Sequence, residues 1–227
     1  MKPSEYSYVF KCVIIGDCHV GKTTLLRRML GEPFLPKPAP MRNSPISLRH
    51  LQCVDKIFTT SEGDRVKLQV YDTMGLERHR SLTLSYYRDA HVCLICYNVH
   101  NPESFDNLKT WLADVHKYLG RDTHLVKMLV GINSRAPALF VNGSIPGIDT
   151  EFVDVELITK RPTELAQEYD TLTCEVQLCD DTDVKTCFKT AVDSLVKRFH
   201  DDYARSPELD NGSVHLTADS SKRSTCC

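Results

Sequence analysis

The sequence predicts an α/β fold in three layers, a mostly parallel central sheet with helices on both faces and a polar tail behind it. Three observations carry this. Strand-like and helix-like stretches alternate along the chain. Residues 90–97 form a nearly continuous apolar run, as expected of a strand buried on both faces. A loop with glycines at both ends, Gly16-Asp17-Cys18-His19-Val20-Gly21-Lys22-Thr23, leaves an apolar stretch and opens onto a helix-forming one.

Residues 8–15 read as the first strand and residues 23–30 as the first helix. Arg65–Asp72 alternates, with Val66, Leu68 and Val70 on one face. Residues 125–130 repeat the buried pattern of residues 90–97, and residues 171–179 alternate through Leu172, Cys174, Val176 and Leu178. Asn101-Pro102-Glu103 is a helix start, with a cap, a first-turn proline and a first-turn acid. That helix should bury Phe105, Leu108, Leu112, Val115 and Leu119 and close at Gly120. The last helix should start near Asp183 and bury Val184, Phe188, Val192, Leu195 and Phe199. Residues 31–50, with Pro33, Pro36, Pro38, Pro40 and Pro45, and residues 132–162 are expected to be loops, the second with short ordered pieces. Residues 201–227 are polar without apolar periodicity, so the expected organisation is a domain over 1–200 and a flexible tail over 201–227.

Composition narrows the function classes. Hydrophobic residues make up 41% and charged residues 26%, ordinary globular usage. A net charge of -2 points away from nucleic acid as a partner. No apolar run reaches the ~20 residues needed to span a bilayer. Residues 1–8 lack the apolar core of a secretory leader. The ten cysteines are therefore expected to be reduced thiols rather than a disulfide frame. Cys93 and Cys96 make a C-x-x-C, but three residues apart on a strand they face opposite ways and read as packing thiols.

The loop pattern, G-x-x-x-x-G-K-[ST] between strand and helix, points to polyphosphate chemistry. Glycines let successive backbone amides turn inward on phosphate oxygens, and the helix N-terminus adds positive potential there. Lys22 offers a point charge to the outer phosphates and Thr23 a hydroxyl to Mg2+. His19 stands where glycine is more usual, so a slightly reshaped loop is expected. About fifty residues on comes Asp72-Thr73-Met74-Gly75-Leu76-Glu77.

Together these residues resemble the Ras superfamily of small GTPases, and most closely its Rab branch. The carriers are the phosphate loop, KLQVYDTMG at 67–75, ERHRSLTLSYYRDA at 77–90, NPESFDNLKTWL at 101–112, LVG at 129–131 and Cys226-Cys227. The likeness covers residues 8–200 in order. It implies the three-layer small-GTPase fold and GTP or GDP held with Mg2+. The implied nucleotide contacts are the loop residues Gly16 to Thr23 together with Thr24, Asp72, Thr73, Met74, Gly75 and Asn133. Thr23 and Asp72 would be the Mg2+ residues, and Gly75 would sense the γ-phosphate. Lys22 and the residue at 76 would be the catalytic positions. The implied partners are effectors, exchange and GTPase-activating factors, and prenyl-delivery and extraction proteins. The implied setting is vesicle-mediated transport on the cytoplasmic face of an intracellular membrane, in exchange with cytosol.

The sequence departs from the family pattern in four places. Leu76 replaces the glutamine that orients the attacking water, so slow hydrolysis is expected. The guanine motif N-K-x-D is reduced to Asn133-Ser134-Arg135-Ala136. Losing the base-gripping aspartate forfeits roughly 3–6 kcal/mol, or about 10² to 10⁴ in affinity. Asp149 and Asp154 are the acids that could reach in instead. The base-backing segment is Glu175-Val176-Gln177-Leu178-Cys179, of which only the glutamate matches. The switch hydroxyl for Mg2+ is either Ser44 or Ser47, or neither.

Cys226-Cys227 resembles the Rab double-prenylation signal, and two lipid chains give the stable anchoring that one does not. Two functions from different classes compete: a slow GTP switch, and a non-catalytic membrane-tethered scaffold with weak or no nucleotide binding. A P-loop kinase or ATPase is a third reading that lacks a visible second substrate site or lid.

Overall fold

The computed structural model describes residues 6–35, 53–73, 86–119, 125–134 and 155–205. In chain order these hold β1 (Tyr8–Gly16), α1 (Lys22–Met29), β2 (Val54–Thr59), β3 (Arg65–Asp72), β4 (Val92–Asn98), α2 (Pro102–Asp106), α3 (Leu108–Leu119), β5 (Val126–Asn133), α4 (Val155–Glu168), β6 (Leu172–Gln177) and α5 (Asp181–Arg205). The strands form one sheet in the order β2-β3-β1-β4-β5-β6. β2 is antiparallel to β3 and all other pairings are parallel.

The pleat explains the three layers. Phe10, Cys12 and Ile14 of β1, with Val92, Leu94 and Cys96 of β4, belong to one core, and Val13 and Ile15, with Cys93 and Ile95, belong to the other. The first core is closed by Leu25, Leu26 and Met29 of α1 and by Val184, Phe188, Val192 and Leu195 of α5. The second is closed by Leu108, Leu112 and Val115 of α3 and by Leu165 and Ala166 of α4. Cys93 and Cys96 thus face opposite layers, and burial pushes both thiols up, so they remain protonated packing groups. No helix among the described residues is long and apolar enough to cross a membrane.

Several boundaries differ from the sequence reading. β5 continues through Ile132 and Asn133, and α4 occupies Val155–Glu168, so both ends of the expected 132–162 loop are ordered elements. Pro162 lies inside α4. An interior proline costs a helix about 3 kcal/mol. Leu165 and Ala166, each 5% exposed, anchor the turn that follows it and offset that cost. The single helix expected after Asn101 is two, α2 and α3, with Asn107 between them. Its start is as read, with the Asn101 side chain accepting from the Glu103 amide at 3.1 Å. α5 begins at Asp181 and runs to Arg205, past the point where the tail was expected to begin. β2 had no counterpart in the reading. Gly120, residues 36–50 and residues 206–227 lie outside the described residues.

Candidate nucleotide site

The register of the sheet puts the tip of β1 at the centre of the site. Ile14 pairs with Asp72 on one side, and Gly16 pairs with Cys96 on the other. The loop leaving β1 therefore sits at the carboxyl ends of the parallel strands, where α/β folds hold ligands. Gly16 has φ 132°, and a Cβ there would lie 2.1 Å from the Cys96 carbonyl oxygen, so both backbone and space exclude a side chain.

His19 adopts φ 63°. The position keeps the left-handed conformation that explains a glycine there, and histidine takes it at a cost of about 1 kcal/mol. Cys18 and His19 are exposed, whereas Val20 is buried and pins the loop to the core.

Lys22 opens α1 and is only 4% exposed. Its ammonium donates to the carbonyl oxygens of Gly16 and Asp17, both at 2.5 Å. The charge is thus held over the loop with a third donor to spare. The N-cap of α1 is Gly21, with φ 110° and no side-chain cap, so the first-turn amides are left for an anion. Thr23 Oγ1 donates to Asp72 Oδ2 at 2.6 Å, and Asp72 is 1% exposed. Hydroxyl and carboxylate side by side form an all-oxygen donor pair that fits a hard divalent cation such as Mg2+. Thr73 Oγ1 donates to the Ile14 carbonyl at 3.0 Å and ties the chain leaving β3 to β1. Thr24 follows, half-buried, in α1.

Four contributing residues escaped the sequence reading. The Asp17 carboxylate accepts from Asn107 Nδ2 at 2.7 Å and from Trp111 Nε1 at 2.8 Å. α3 and the residue before it therefore grip the loop from the side. Trp111 is the chain's one tryptophan, and its place on a mostly apolar helix face disguised a polar role. His100 Nε2 lies 3.0 Å from Asn133 Oδ1, at the end of β5. Arg28, 8% exposed, donates through Nε to the Leu178 carbonyl at 2.7 Å and pairs with Asp181 and the Glu32 carbonyl. It ties α1 to the turn after β6, which also reaches back through the Leu178 amide to the Asn133 carbonyl at 2.9 Å. Within β6 itself Val176 is buried and Glu175 exposed.

The structure brings together Gly16, Asp17, Val20, Gly21, Lys22, Thr23, Asp72 and Thr73, and sets Asn133 at the end of β5, two strands along from β1. Met74, Gly75, Leu76, Ser44, Ser47, Asp149, Asp154, Cys226 and Cys227 lie outside the described residues.

A buried lysine over a glycine-bounded turn, with an oxygen pair beneath the helix start, defines the class of phosphate-loop nucleotide-binding α/β proteins. The Ras family model matches residues 11–197. The chain belongs to that family and is a Rab-type small GTPase. It is 42% identical over 126 residues to the human (Homo sapiens) Ras-related protein Rab-26, covering 56% of this chain and 46% of that protein. It is 38% identical over 130 residues to GTP-binding protein YPTM2 of Zea mays, covering 57% of this chain and 59% of that one. To Ras-related protein RABD2a of Arabidopsis thaliana it is 37% identical over 130 residues, with the same two coverages, 57% and 59%. The matches span about half the length of these relatives.

Proposed function

We propose that this chain is a membrane-anchored Rab-like switch that binds GTP and GDP with Mg2+, recruits effectors in vesicle-mediated transport and hydrolyses GTP slowly. The carrying observation is the Lys22, Thr23 and Asp72 arrangement at the tip of the central strand. Gly16 to Thr23 would wrap the phosphates with backbone amides. Lys22 would hold its charge against the outer phosphates. Thr23 and Asp72 would hold Mg2+, Asp72 through water. When bound, Mg2+ neutralises charge developing between the β- and γ-phosphates. Met74 and Gly75 would follow the γ-phosphate. Leu76 is apolar and cannot orient water, so turnover falls by about 100-fold or more.

The remaining partners follow from family membership: exchange and GTPase-activating factors, effectors, and proteins that deliver prenyl groups or extract the lipidated chain. Cys226 and Cys227 would carry two lipids and seat the domain on the cytoplasmic face of an intracellular membrane, in exchange with cytosol. Replacing both by serine should release the protein from the membrane fraction.

A second reading, a Rab-fold scaffold with weak or no nucleotide binding, is favoured by the base end. There Asn133 lies against His100, and Ser134 and Ala136 stand where lysine and aspartate would grip guanine. Titration with fluorescent GTP, GDP and ATP, with and without Mg2+, decides between them. Tight Mg2+-dependent guanine binding supports the switch, no binding supports the scaffold, and ATP preference returns the kinase or ATPase class. Single-turnover hydrolysis should then be slow in wild type and faster in Leu76→Gln. A normal wild-type rate would remove the hydrolysis defect.

A further inference from the structure

Far from the phosphate loop in sequence, three sulfur atoms meet under the edge of the sheet. Cys174 Sγ lies 3.3 Å from Cys187 Sγ and 3.6 Å from Met128 Sδ, and Cys187 Sγ lies 3.9 Å from Met128 Sδ. Each comes from a different element: Met128 from β5, Cys174 from β6 and Cys187 from α5. The topology forces the meeting. Met128 pairs in register with Leu172 and Val130 with Cys174, so Met128 and Cys174 sit diagonally on one face of adjacent strands. α5 packs across that face through Val184, Cys187, Phe188 and Ala191.

The triangle has metal-binding dimensions. A point equidistant from three atoms at these separations lies about 2.1 Å from each, close to the ~2.3 Å of a metal–thiolate bond. The donors are two thiols and a thioether, the soft set that selects copper(I) over hard cations. Met128 and Cys187 are 0% and 2% exposed, which suits a water-excluded site. Cys174 is only half-buried on the edge strand and supplies the way in. We infer that Met128, Cys174 and Cys187 form a trigonal all-sulfur site for a monovalent soft metal ion, copper(I) in the first instance.

Binding displaces two protons: one Cu+, two thiols and one thioether give a complex of net charge -1 and two H+. No electron is transferred and no sulfur–sulfur bond forms. The site is separate from the nucleotide reading and stands or falls without it.

The test uses the full-length chain, reduced and anaerobic, titrated with Cu(I) against a chromophoric Cu(I) chelator. All arms carry Cys226→Ser and Cys227→Ser, because adjacent thiols bind copper by themselves. One tight equivalent is expected, with an all-sulfur shell by X-ray absorption and a raised unfolding temperature on binding. Cys174→Ala and Cys187→Ala should each lose the equivalent, and Met128→Leu should weaken it. Cys12→Ala, from the same core face, should retain it. Should the buried Cys187 variant fail to fold, the half-buried Cys174 variant decides. The inference is overturned if Cys174→Ala keeps the tight equivalent, or if Cu(I) lowers the unfolding temperature, since the ion would then be capturing thiols of the unfolded chain.

Discussion

The phosphate end and the base end of the strand tips are built on different principles. At the phosphate end the loop is wedged into the core. Gly16 touches Cys96, Val20 is buried, Lys22 holds two carbonyls, and Asp17 is gripped by Asn107 and Trp111. Changing any of these disturbs packing as well as ligand contact. At the base end half-buried Asn133 meets His100, and its carbonyl accepts from the Leu178 amide. A side chain at such a strand end can change with less effect on the sheet than one in a loop wedged into the core. The difference teaches that the phosphate-side residues are tied to the packing of the sheet more closely than the side chain at the tip of β5, so the two ends can diverge separately.

The contrast is broken most directly by comparing Lys22→Ala with Asn133→Ala. The first should abolish Mg2+-dependent GDP binding, and the second should weaken it by less than about tenfold. Calorimetric titration reads both. Equal losses would mean the base end contributes as much as the phosphate end.

Next in size is rebuilding the base motif. Ser134→Lys with Ala136→Asp restores N-K-x-D after Asn133. The preference for GTP over ATP should rise by about 10² to 10⁴-fold, the worth of two hydrogen bonds to a carboxylate. An unchanged ratio of dissociation constants would show that base choice is supplied elsewhere in the chain.

A smaller effect is expected from the grip on the loop. Asp17→Ala removes the acceptor of two donors and frees the carbonyl that helps hold Lys22. GDP should dissociate at least about tenfold faster, since two charged hydrogen bonds that hold the loop are lost and even one is worth about 1.5–3 kcal/mol. Trp111→Phe, which removes one of the two donors, should fall between that variant and wild type. Stopped-flow release of a fluorescent GDP measures it, and unaltered release in Asp17→Ala would confine the grip to a packing role.

What the sequence revealed follows the same division. The loop, the strand after it and Asp72 were legible because each carries a local pattern: glycine spacing, alternation, and an acid at a strand end. The helix start at Asn101 was legible from its cap. β2 was not, since Val54–Thr59 is a half-buried antiparallel strand with Asp55 and Lys56 in it and no clean alternation. α4 was hidden by Pro162, a helix breaker overruled here by burial of Leu165 and Ala166. Asn107, Trp111, His100 and Arg28 were missed because their partners are brought by the fold: Arg28 meets Asp181 across 153 residues and Trp111 meets Asp17 across 94. No spacing rule within one segment encodes such pairs.

The last prediction concerns what orders the turn after β6. Asp180 precedes α5, and its carboxylate accepts from the Thr182 amide at 2.7 Å, capping the helix. That hydrogen bond, ahead of its other contacts, holds the carboxyl below the ordinary aspartate value, so the folded state favours the ion. A group depressed on folding stabilises above its unfolded value and loses that contribution as pH falls through the folded one. Asp180→Ala should therefore unfold at a lower temperature than wild type at neutral pH, and the two curves should converge in acid below the ordinary aspartate range. Melting both proteins across that range tests it. A gap that stayed constant into acid would assign the effect to the backbone of the turn, where Asp180 donates its amide to the Gln177 carbonyl at 2.9 Å, and the base end would then rest on main-chain contacts alone.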